Sequence, residues 1–178
     1  SSQGSSFNRR VCVEPIHFNP DGGIREVEMT TQGIHGPLSP TQSIDAWRAC
    51  LLHGRVHTAV DGPSEGDSTT RERLTHIHHD DWAAYKYLDF DIGLVQTFHA
   101  RAGSVDYGGQ IEIHLDSPDG EPVGVCAVPH TGCWQKWATL SCSVKPVKGV
   151  RAVYLVFKGH GGKRLFDLES FWFAAKCP

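Results

Sequence analysis

The densest run of groups able to bind a metal or move a proton is His76-Ile77-His78-His79-Asp80-Asp81. On a strand, His76, His78 and Asp80 would project from one face, a spacing that could build a metal site. No distant third ligand stands out, however, and a solvated loop in a chain holding 11 His has the same make-up. A glycosidase needs two carboxylates about 5–9.5 Å apart in a cleft. None of the 20 Asp and Glu sits in such a motif, and Glu26, Glu28, Asp89 and Asp91 are spaced like charges on strand faces. No Ser-His-Asp or Cys-His signature is present. Gly108-Gly109 and Gly159-Gly161-Gly162 follow no phosphate-loop pattern and read as turns. Asn19, Asp21 and Gly22 lack the twelve-residue calcium-loop pattern, so turn chemistry accounts for them. The residues by themselves identify no catalyst.

Aromatic placement is more informative. Trp134 follows Thr131-Gly132-Cys133, at the head of a turn, where a ring serves poorly as core and well as an exposed platform. Flat rings suit sugars, because pyranose C–H groups lie on the π face while the hydroxyls stay wet; aromatics also give contact area at low entropy cost. Trp82, Trp137 and Trp172 read as core rings. Six Cys show no close CxxC spacing, and both buried thiols and disulfides remain open.

The elements that must position these residues are short strands. Nineteen Gly, 10 Pro and a single Met among 178 residues describe a turn-rich chain whose bulk is aromatic. Strand-like runs cover Tyr85–Ile92, Val95–Ala102, Gln110–Asp116, Val123–Val128, Trp137–Val144, Val150–Lys158 and Leu168–Ala175, separated by Gly and Pro turns. Val153–Phe157 is apolar on both faces, as a covered central strand would be. Seven or more evenly spaced strands predict an all-β sandwich. Ile44–Leu52 is expected as a further strand and Val60–Arg73 as a surface loop.

Ahead of them, Arg9–Phe18 and Ile24–Met29 flank Asn19-Pro20-Asp21-Gly22-Gly23 and predict a hairpin, which must dock on something to be stable. Gly33–Pro40 reads as a linker, dividing a tail of residues 1–38 from a domain of residues 39–178. The opening Ser1-Ser2-Gln3-Gly4-Ser5-Ser6 suggests a piece of a longer polypeptide. A formal charge of −3 with no basic tract argues against nucleic acid, and the longest apolar run, about five residues, is far short of the roughly 20 of a membrane-spanning helix.

Several ordered motifs then resemble a known family. Asp81-Trp82-Ala83-Ala84-Tyr85, Asp89-Phe90, His99-Ala100-Arg101-Ala102, Gly108-Gly109-Gln110-Ile111-Glu112-Ile113, Thr131-Gly132-Cys133-Trp134-Gln135-Lys136-Trp137, Val153–Gly159 and Leu165–Phe171 together resemble a family 6 carbohydrate-binding module. Residues 9–33, with Cys12-Val13-Glu14-Pro15-Ile16, Asp21–Ile24 and Glu28-Met29-Thr30, resemble the C-terminal end of a family 43 glycoside hydrolase catalytic domain.

The resemblance implies a lectin-like, galactose-binding-like jelly roll with its sugar site in the loops at one edge. There it assigns Tyr85 and Trp134 to sandwich a sugar. Asp167 stands where the family has an Asn, an acceptor-only group in place of an amide. It also implies a structural calcium ion held by Asp45 and Glu169, with Trp47 in place of a second early Glu. The expected function is non-catalytic binding of xylan, arabinoxylan or xylo-oligosaccharide, targeting a secreted hemicellulose-degrading arabinofuranosidase or xylosidase. The catalytic glycosidase domain would lie upstream or on a separate chain, and this chain alone would hydrolyse nothing. The alternatives are a structural brace for that enzyme, or a C-terminal fragment of an active one.

Overall fold

The computed structural model describes residues 13–61, 71–92, 95–134 and 136–175. The doubly apolar run Val153–Phe157 lies in β10 (Val150–Lys158), in the middle of a five-stranded antiparallel sheet. Its neighbours are β5 (Trp82–Asp89) and β7 (Gly109–Leu115), with β2 (Leu51–His53) and β8 (Gly124–Val128) at the edges. The facing sheet runs β3 (His57–Asp61), β4 (Arg71–Thr75), β11 (Asp167–Ala174), β6 (Thr97–Gly103), β9 (Ala138–Ser143), and β1 (Ile44–Asp45) also pairs with β11. Two antiparallel sheets face to face form the expected β-sandwich.

Period-2 alternation aims one side of each strand inward. Phe98, Ile111, Ile113, Phe157 and Phe173 meet between the sheets, and burial of each is worth about 1.5–3 kcal/mol. A register shift between Leu168 and Ser170 changes the phase of β11, so that Leu168 and Phe171 both face the core. Asp167, next to core-facing Leu168, lies on the other face of β11 with Arg73 and Thr75 of β4, and is nonetheless buried.

Some expectations need correction. Ile44–Leu52 is not one strand: β1 gives way to a 3-10 turn at Ala46–Arg48 before β2. Val60 and the residues 71–73 belong to β3 and β4, and residues 62–70 between them lie outside the described residues. Trp82 and Trp172 lie apart from the central core. Trp82 packs against Tyr154 and stacks on His53, while Trp172 stacks on His99 at 5.1 Å.

The predicted turn at residues 19–23 is present, with Gly22 N–H donating to the Asn19 carbonyl and a single bridge between Phe18 and Ile24. Arg9–Cys12 lie outside the described residues. The segment after the turn docks on β5: Thr31 and Gln32 N–H donate to the Lys86 carbonyl, Leu38 N–H to that of Tyr87, and Leu38 pairs with Leu88. Glu28 receives Lys86 Nζ at 2.6 Å and the Tyr87 hydroxyl at 2.5 Å.

Candidate functional site

Four loops converge at one end of the sandwich: β4–β5, β6–β7, β8–β9 and β10–β11. Ser104, fully buried just beyond β6, ties three of them together. Its hydroxyl donates to the Leu165 carbonyl and accepts from Gly108 N–H; its amide donates to Thr131 Oγ1; its carbonyl accepts from Thr131 and Gly132 N–H. Leu165 N–H in turn donates to Ile77 in the fourth loop. Gly103 lets the loop carrying Trp134 approach, since a Cβ there would sit 2.5 Å from the Trp134 carbonyl oxygen. Gly132, at φ +92°, makes the turn that presents the indole.

Trp134 is partly exposed, and the Arg164 guanidinium lies over its ring with Cζ 3.7 Å from the centroid. The same guanidinium reaches down through Nη2 to Asp167 Oδ1 and Oδ2 at 2.7 and 2.8 Å, and to Thr75 Oγ1 at 2.8 Å. Asp167 also accepts from Arg73 Nε at 2.9 Å and from the Thr75 hydroxyl at 3.0 Å. One buried carboxylate therefore meets two guanidinium groups, and the cluster carries a net positive charge. Thr75 has a single hydroxyl proton and gives it to Asp167, so its 3.4 Å contact with His76 Nδ1 makes the imidazole the donor. Burial, then the charges of Arg164 and His57, hold His76 below the usual histidine pKa, keeping the ring neutral. His76 and His57 stack at 4.6 Å, adding a second aromatic surface to this end.

The residues assigned from the sequence separate here. Trp134 lies in the edge loops as expected. Tyr85 does not: it is 0% exposed, packs edge-on against Phe171, and its hydroxyl donates to the Ala46 carbonyl at 2.7 Å. Strand alternation on β5 points its phenol into the core, so it cannot stack on a ligand. Asp167 is at the right end of the fold but is also 0% exposed. With its oxygens occupied by Arg73, Arg164 and Thr75, it positions Arg164 rather than touching a hydroxyl.

His76-Ile77-His78-His79-Asp80-Asp81 forms a turn, with His76 and Asp80 at φ +53° and +67°, and so presents no row of ligands. Asp81 caps it by accepting from His78 and Arg55 N–H. Asp45 and Glu169 do not fit a calcium site: Asp45 is exposed, Glu169 is ion-paired with Arg101, and among the described residues no three His, Cys, Asp or Glu could hold a metal. Sequence reasoning missed Arg164 and Ser104, and set His76 in a row of metal ligands rather than beside Thr75 and Arg164. The one available signal was a cation three residues before an acid, Arg164 and Asp167, in a Gly-rich loop.

With this geometry established, the chain can be compared with known proteins. The profile of carbohydrate binding module (family 6) matches residues 54–175. The chain belongs to that family. A Bacillus subtilis arabinoxylan arabinofuranohydrolase is 33% identical over 170 residues, covering 94% of this chain and 33% of the relative. A Paenibacillus polymyxa protein of the same name is 32% identical over 171 residues, covering 93% of this chain and 26% of that protein. This module thus spans about a third or less of the length of these curated relatives.

Among solved structures, a family 6 module from Clostridium cellulolyticum in complex with xylose matches with TM-score 0.66 and 37% identity, covering 77% of this chain and 99% of that one. A glycoside hydrolase family 43 arabinoxylan arabinofuranohydrolase from Bacillus subtilis, in complex with cellotetraose, matches with TM-score 0.71 and 32% identity, covering 92% and 33%. The module is therefore a non-catalytic carbohydrate binder related to xylan-active enzymes.

Proposed function

We propose that this module binds xylan or arabinoxylan chains through the edge loops, and so holds a secreted hemicellulose-degrading glycosidase on its substrate. The observation that carries this reading is the partly exposed Trp134 indole, fixed in orientation by Arg164 above a buried Asp167. The outward surface of Trp134 offers a flat apolar face to a pyranose ring. Arg164 supplies a donor to its hydroxyls, and His76, whose Nδ1–H is turned to Thr75, supplies an acceptor. The relatives' arabinoxylan activity and the xylose complex support the choice of glycan. One aromatic platform and a few hydrogen bonds give a weak interaction, on the order of micromolar to millimolar.

A catalytic glycosidase domain is proposed as the partner of the tail. Ile16, Phe18, Ile24 and Ile34 are all exposed, Phe18 at 66%, in a segment whose other side is fastened to β5. A cleft of about 400 Å³ lined by Val13, Met29, Trp47 and Cys50 remains between tail and sandwich. These are the marks of a segment that completes its packing on another domain. The hydrogen bonds from Thr31, Gln32 and Leu38 to β5 also favour a second role, bracing that domain rigidly against the module.

Affinity electrophoresis in gels containing arabinoxylan tests the binding role. Retardation of the native protein, lost in Trp134→Ala and kept in Tyr85→Phe, supports the edge site. Equal retardation of native protein and Trp134→Ala removes it. Failure of the native protein to bind any hemicellulose, together with a fall in the enzyme's thermal stability on deleting residues 39–178, leaves the brace.

A further inference from the structure

Strands β8 and β9 form the seam where the two sheets meet at one edge. Their ends are held antiparallel across the seam. Lys145 N–H donates to the Val123 carbonyl at 2.8 Å, and a Cβ on Gly124 would fall 2.6 Å from Val144 Cγ1. One step forward on one strand is one step back on the other, so this register sets Cys126 opposite Cys142. Both side chains face the interior: Cys126 is fully buried, and the half-buried Cys142 packs against the same apolar cluster. The two thiols influence each other across the seam. Cys50, by contrast, donates its thiol to the Ala84 carbonyl at the far edge of the five-stranded sheet.

We infer that Cys126 and Cys142 are a disulfide site, closing the seam between the sheets when the module meets a small-molecule disulfide such as oxidised glutathione. Cys142 attacks first. It is the more exposed of the two, and the contact with Cys126 holds its thiol below the usual cysteine pKa, while that same contact and then burial push Cys126 up. The Cys142 thiolate displaces one thiolate from the donor disulfide to give a mixed disulfide. Cys126 then passes its proton to the departing thiolate and displaces the second donor thiolate from the Cys142 sulfur. Two protein thiols are oxidised and one donor disulfide is reduced to two thiols, so electrons and protons balance.

The bond would enclose residues 127–141, the segment that carries Trp134. It would restrict the unfolded chain and also anchor both ends of the loop that presents the indole.

The test uses the purified chain incubated with oxidised glutathione, then denatured, alkylated with iodoacetamide and peptide-mapped without reduction. The expected result is a linked peptide pair containing Cys126 and Cys142, neither of them alkylated. Reduction should lower Tm by about 6–12 °C. In the double variant Cys126→Ala/Cys142→Ala, reductant should leave Tm unmoved. Mapping needs no variant to fold. Recovery of Cys126 and Cys142 both alkylated or glutathionylated after oxidation, or linked to other cysteines, overturns the assignment.

Discussion

Arg164 lies over Trp134, its Cζ 3.7 Å from the ring centroid, while its Nη2 grips the buried Asp167. The indole is thereby orientated from below by a cation that is itself orientated by a carboxylate. Such stacking is worth about 0.5–2 kcal/mol. Trp134→Ala should weaken glycan binding by about tenfold or more, the loss of one aromatic contact of roughly 1.5 kcal/mol. Arg164→Ala should weaken it less. Neither change removes core packing, so isothermal titration with xylo-oligosaccharides should resolve the loss against an unchanged far-UV spectrum. Undiminished affinity in Trp134→Ala would place the site elsewhere.

Asp167 supports that arrangement from inside. Asp167→Ala strands two guanidinium groups and the Thr75 hydroxyl around a gap. Breaking a buried ion pair costs about 3–5 kcal/mol; the lower end applies here, since Arg164 can reach solvent. Urea unfolding should show a free energy lower by that amount, read as a lowered midpoint at unchanged m. A midpoint unmoved by the substitution would mean that the carboxylate does not organise the loops.

Tyr85 supplies the converse case. Tyr85→Phe removes one buried hydrogen bond to Ala46 and should cost about 1 kcal/mol of stability with no effect on glycan affinity. A drop in affinity at unchanged stability would return the phenol to the binding surface.

The difference between Trp134 and Tyr85 shows what the sequence made legible. Strands such as β7 and β10 announce themselves through alternation or through a doubly apolar run, because that pattern is the physical cause of their burial. Trp134 was visible for a similar reason, as a ring beside Gly132 in a turn. Tyr85 was not, because its facing depends on the phase of β5 across the sheet, set by partners distant in sequence. Asp167 and Arg164 were separated from Arg73 and Thr75 by some 90 residues, and only the pairing of β4 with β11 brings them together. Ile44–Leu52 reads as one strand because its apolar residues suit a strand, while the 3-10 turn at Ala46–Arg48 breaks it.

Ser104 offers a test of loop coupling. Ser104→Ala removes the acceptor for Gly108 N–H and the donor to Leu165, both buried, at a cost of about 1–3 kcal/mol. Because Thr131 and Trp134 hang from the same point, glycan affinity should fall along with stability. Hydrogen exchange should show faster exchange at Thr131 and Gly132, whose amides donate to the Ser104 carbonyl, and at Leu165 in the neighbouring loop. Slow exchange at all three would show that the loops hold without the hydroxyl.

The junction between tail and sandwich should respond to acid. Glu28 is held below the usual carboxylate range by hydrogen bonds from Lys86 and Tyr87, with the Lys86 charge assisting. Its pKa in the folded protein is therefore lower than in the unfolded chain. The contribution of the clamp is complete above the ordinary Glu value and is lost as pH falls through the lowered one. The effect on global stability is small, since Glu28 is nearly half exposed, but the tail has few other side-chain ties to β5. Limited proteolysis within residues 13–30 should accelerate as pH is taken below about 4, with an acid-stable protease chosen so that its own activity is constant. Glu28→Gln keeps the size and one acceptor but removes the charge, and should show fast cleavage already at neutral pH with a flat profile. A native profile that stays flat through the acid range would mean that backbone pairing of Thr31, Gln32 and Leu38 with β5 holds the tail alone.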